Sequence, residues 1–203
     1  MPDLHEEFEW LSKFGPFHDV SCVSFVRSLS PVDALSRLGA ESSRTEEVTF
    51  EALQERTMKC VDSDNMRTSY VGALETGGWT VLIQLWTVSI ALSRPLLSSL
   101  SQATEVVSIH RNVHATDYFV YVADGNLITQ FDLLAPYARA GSDPDRLAHM
   151  MREVGLDPNL DWKGPGVRAS FPRAFALARK ITSLSFSQDK LEMRLLGAEI
   201  NTE

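Results

Sequence analysis

The densest run of chemistry-bearing side chains is His110-Arg111-Asn112-Val113-His114-Ala115-Thr116-Asp117. If a strand continues through His114, then His110, Asn112 and His114 share one face and Arg111 takes the other. Either His110 or His114 could then act as a general base, with Asp117 across the turn orienting the imidazole. The same residues also suit a polar strand end whose side chains hydrogen-bond the next loop, or a recognition surface. No metal is expected there. Two histidines four residues apart on a strand stand about 13 Å apart at about 3.3 Å per residue, too far for one zinc ion.

Familiar catalytic patterns are absent elsewhere. No glycine-rich phosphate loop ends in Lys-Ser/Thr, no Gly-x-Gly-x-x-Gly follows a strand, and there is no Gly-x-Ser-x-Gly, His-Glu-x-x-His or Cys-x-x-Cys. No cofactor is expected. Asp132 reads as a turn residue after a strand, and Asp143 and Asp145 as helix-start residues favoured by the macrodipole. Trp79, Trp86 and Phe131 read as core aromatics, although an exposed Trp86 would make a binding anchor.

The elements that must position these residues follow from periodicity and turn chemistry. Leu4, Phe8 and Leu11 predict a first helix closed by Gly15-Pro16. Val20 to Val26 predicts a strand, and Ser30-Pro31 caps a short helix to Leu38. Residues 40–47 read as loop and Thr49 to Met58 as a helix. Arg67 to Leu74 and Trp79 to Leu85 form a hairpin about Thr76-Gly77-Gly78, whose glycines supply positive φ. Residues 86–93 read equally as strand extension or loop, followed by a short helix, Arg94 to Gln102. Strands are then expected at Glu105 to Val113, Tyr118 to Ala123 and, after the turn Asp124-Gly125, Leu127 to Phe131. Beyond Pro136 the period changes to helical, with helices starting at Ser142-Asp143-Pro144-Asp145, around Phe171 to Ile181 and, more weakly, at Leu191 to Leu196.

These elements make an α+β domain over residues 1–203. A mostly antiparallel sheet of about six strands lies within 1–135, a helical segment follows at 136–203, and the helices from both ends pack on one face. A chain of 203 residues buries roughly 70% of its unfolded surface, so it needs no staple. Its two cysteines, Cys22 and Cys60, are too few for a disulfide framework, and Cys22 lies in an apolar run that suits a buried thiol.

The opening residues are acidic and lack an apolar run, so no signal peptide is expected, and the chain reads as cytoplasmic. Thr76 to Ser93 is uncharged, but Gly77-Gly78, Gln84 and its β-branched residues favour buried strand over a membrane span. The formal net charge is −8, and residues 1–75 carry 14 acids against 7 bases. Nucleic acid demands clustered Lys and Arg, which only Arg168, Arg173, Arg179 and Lys180 approach, so it is disfavoured. The acidic N-terminal half would instead attract a basic protein.

Several stretches carry a resemblance: Cys22 to Pro31; Val71 to Leu74 with Gly77 to Leu82; Val106 to Ile109 with Arg111 to Val113; Phe131-Asp132 with Gly141 to Asp145; and Ala174 to Thr182. Together they resemble an uncharacterised domain family of actinobacteria over nearly the whole chain. The resemblance implies no activity. Where such a domain would carry a short Asn/Gly-bearing loop after the Trp79 strand, this chain has Gln84-Leu85-Trp86-Thr87-Val88-Ser89-Ile90.

The functional expectation is a non-catalytic protein-binding module, in its most concrete form an immunity or antitoxin-type inhibitor that masks a basic partner. Its interface would be Trp86, Arg111, Asn112, His114, Asp117 and Tyr118. The alternative is a motif-poor enzyme or a small-molecule-binding regulatory domain, with a site near His110, His114 and Asp117.

Overall fold

Ser21–Arg27 (β1) sends Val23 and Phe25 to one side and Cys22 and Val26 to the other, and all four are buried. A strand apolar on both sides must lie inside a sheet that is covered on both faces. The computed structural model, which describes residues 4–63, 67–87, 90–113, 117–159 and 169–201, has that architecture. The other strands are Glu46–Val48 (β2), Thr68–Thr76 (β3), Trp79–Leu85 (β4), Glu105–Arg111 (β5), Tyr118–Ala123 (β6), Asn126–Asp132 (β7) and Leu195–Asn201 (β8). They form one sheet in the order β2-β8-β3-β4-β1-β5-β6-β7, and every pairing is antiparallel.

The α+β class stands, and the six expected strands are all present, but the sheet has eight. The two additions are β2, expected as loop, and β8, expected in part as a final helix. Gln188–Glu192 is a 3-10 turn, and the chain then enters the sheet between β2 and β3. The helices are Gly15–Asp19 (α1), Pro31–Arg37 (α2), Phe50–Ser63 (α3), Arg94–Leu100 (α4), Ala148–Glu153 (α5) and Ser170–Thr182 (α6). They do not share one face. The 3-10 stretch Glu6–Ser12, α1, α3, α5 and α6 cover the side of Val23 and Phe25, whereas α2, α4 and the 3-10 turn Ile90–Leu92 cover the side of Cys22 and Val26. The apolar alternation of β1, β4 and β5 requires both layers.

Local chemistry accounts for the ends. Ser30 caps α2 by accepting the Asp33 N–H at 3.1 Å, with Pro31 in the first turn. Gly77 and Gly78 turn the β3–β4 hairpin at positive φ, as Asp124 and Gly125 do for β6–β7. On the first face Phe175 of α6 packs on Phe8, Phe171 and Phe186, and Phe186 reaches Phe17 and Phe25. Cys22 and Cys60 are both buried, and neither is in a disulfide. Among the described residues, no helix is long and apolar enough to cross a membrane.

Candidate ligand groove

The second face is incompletely roofed. α4 packs over β5, and the turn Ile90–Leu92 over β1, β5 and the near side of β6. Beyond them the outer pair β6–β7 forms the floor of an open groove of about 340 Å3. Tyr118, Val120 and Val122 of β6 and Leu127 and Gln130 of β7 make this floor. Ala91, Leu92, Arg94, Leu97 and Ser98 make the wall, and Gly125 closes one end.

A β-bulge sets the floor. The ladder runs Val120↔Gln130, Tyr121↔Thr129 and then Val122↔Leu127, so Ile128 is extra. Leu127 and Gln130 are three apart, which would put them on opposite faces of a regular strand. With Ile128 looped out, both reach the groove. The outer edge of β7 is sealed at the same place. Gln130 and Ala140 exchange backbone hydrogen bonds at 2.8 and 2.9 Å, the Ser142 N–H donates to Leu127 O, and the Asp143 N–H donates to Ile128 O. Gly141 sits there at φ +129, and a Cβ on it would lie 2.2 Å from Ile128 O.

The wall is tied down at both ends. Arg37 of α2 donates to the carbonyls of Leu100 and Gln102, and Ser99 Oγ donates to Arg37 O. The Gly125 N–H donates to Ser101 Oγ, which fixes the hairpin turn to the end of α4. At the other end Gln84, wholly buried, accepts the Ile90 N–H at 2.8 Å and donates to Ser69 Oγ at 2.8 Å; Ser69 in turn shares a hydrogen bond with Thr87. The groove is therefore preformed and of mixed lining, with four polar side chains, Arg94, Ser98, Tyr118 and Gln130, among apolar ones. None of the four side chains has a hydrogen-bond or ion-pair partner among the described residues. A volume near 340 Å3 lies within the range of about 300–1,000 Å3 typical of small-molecule sites.

The residues singled out in the sequence divide between the two faces. His110 is register-paired with Cys22 on one side and Tyr118 on the other, so it points into the second face, one strand inward from the groove. It is 3% exposed, and neither ring nitrogen has a well-formed hydrogen bond. Burial pushes its pKa down to about 4, opposed weakly by the Ser21 backbone. Beside it Ser24 and Ser108 share a 2.6 Å hydrogen bond, with Cys22 Sγ 3.4 Å from Ser108 Oγ.

Asp117 lies on the opposite face, where its carboxylate stands 3.5 Å from Arg111 Nε. Burial raises its pKa to about 6, against the pull of Arg111 and the Asn112 backbone and with a push from Asp132. Arg111 also lies over the Phe171 ring at 4.4 Å. His110 and Asp117 therefore cannot form a base–orienter pair, because the sheet stands between them. His114 lies outside the described residues. Trp86 is half-buried against the first-face core at φ +52, a left-handed position where the Asn/Gly expected of this loop would sit without strain. The anticipated interface is thus dispersed. Arg111 and Asp117 pair on one face, Trp86 packs inward, Asn112 is half-buried, and only Tyr118 lies in the groove. Among the described residues no cluster of His, Cys, Asp or Glu is placed to hold a metal ion.

A sequence model for a family of unknown function matches residues 2–194. The chain belongs to this family, DUF6461. The DUF6461 match takes in every groove residue and the Gly141–Asp145 edge seal, and it stops just before β8. No curated protein and no solved structure matches the chain. DUF6461 membership carries no activity with it, so function has to be argued from the groove.

Proposed function

We propose that this chain is a binding module that takes a small, partly apolar ligand into the groove over β6 and β7. The observation that carries this reading is a preformed groove of mixed lining, in which four polar side chains without partners among the described residues lie among apolar ones. Apolar surface supplies the binding energy of such sites, and a few placed polar groups fix orientation. The reading is of binding because, among the described residues, Arg94, Ser98, Tyr118 and Gln130 make no hydrogen bond that would activate a nucleophile or a base.

A mixed-charge fragment set titrated into 15N-labelled protein tests the reading. Shifts should cluster at residues 91–98 and 118–130 and disappear in Gln130→Trp, whose indole fills the groove from an edge strand that accepts aromatics. Binding that survives Gln130→Trp, or no binding at all, would sink it.

A protein partner is the second reading. It is supported by Glu47 on the edge strand β2 and Glu51 and Glu55 on α3, which are exposed without ion-pair partners among the described residues. A basic partner captured there should lose affinity when the three are changed to Gln, while the groove stays open to fragments.

A further inference from the structure

We draw no further inference here: the strongest candidate outside the groove, the side-chain cluster of Arg56, Lys59, Cys60 and Glu199 where α3 meets β8 beside the edge strand β2, rests on a lone cysteine whose thiol already lies 4.0 Å from Glu199 Oε2, and nothing in the structure shows what it would bind.

Discussion

The side chain of Gln84 accepts the backbone N–H of Ile90 at 2.8 Å from a fully buried position on β4. One amide thereby fixes where the turn Ile90–Leu92 descends onto the sheet, and so where the groove wall begins. Gln84→Leu keeps the volume but leaves the Ile90 N–H unpaired in the interior and Ser69 without its donor. Stability should fall by about 1–3 kcal/mol in urea denaturation. Amide exchange at Ile90 should accelerate more than exchange in β6. Unchanged protection at Ile90 would show that packing, not the amide, holds the turn.

Gly141 makes the second firm prediction. Its φ of +129 is a region that side chains avoid, and an added methyl would press on the Ile128 carbonyl. Gly141→Ala should cost about 2–4 kcal/mol, combining backbone strain with displacement of the seal from β7. Because the seal holds the bulge, the amide resonances of Leu127 and Gln130 should move as well. A stable variant with both resonances in place would mean that the edge re-forms without the Gly141 conformation.

Two buried titrating groups on opposite faces should produce opposing pH slopes. His110, held near pKa 4 against an ordinary value of 6.5, binds fewer protons when folded, so its contribution rises with pH between about 4 and 6.5. Asp117, held near 6 against 3.8, binds more protons when folded. Its contribution is full below about 3.8 and falls as pH rises to about 6. Each amounts to about 3 kcal/mol across its window, so the two nearly cancel between pH 4 and 6. Asp117→Asn should unmask a rising stability over that interval, and His110→Gln a falling one. Urea midpoints of the three proteins at half-unit pH steps are the check; parallel curves would refute it.

A fourth prediction concerns the strand that the sequence conceals. Gly197 of β8 lies beneath the Tyr70 ring, where an added Cβ would stand 2.5 Å from the phenolic oxygen. Tyr70 donates from there to Glu46 Oε1 at 3.0 Å, bridging over β8 to the edge strand β2. Gly197→Val should expel the ring and lower stability by about 1–3 kcal/mol. It should also detach β2, seen as loss of amide protection at Glu46 to Val48. Intact β2 protection would mean that Tyr70 is not what holds the edge.

Six strands were readable because they are long, rich in β-branched residues and joined by glycine turns, as at Gly77-Gly78 and Asp124-Gly125. β2 and β8 were not. Glu46-Glu47-Val48 has two charges in three residues, and Leu195 to Asn201 contains Gly, Ala and Glu, all poor strand formers. Both are held by neighbours: β8 pairs on both sides, and β2 leans on β8 alone. The groove was hidden for a different reason. Alternation correctly separated His110 from Arg111, but the face taken by Asp117 depends on the β5–β6 register, and the convergence of Leu127 with Gln130 depends on a bulge. Neither leaves a mark in the residue pattern. Glycine at 141, directly before the Ser142 to Asp145 stretch that reads as a helix start, is a usable signal for a tight backbone approach.

The interior position of β8 also bears on how the molecule is made. On the ribosome, β3 and β4 emerge early and pair, yet β3 must carry an open, apolar edge until residues 195–201 have left the exit tunnel. β2 has nothing to join before then. Nascent chains stalled ahead of that point would offer one another a ready template for strand exchange. Synthesis of this domain should thus lean on chaperones until its final strand slots home.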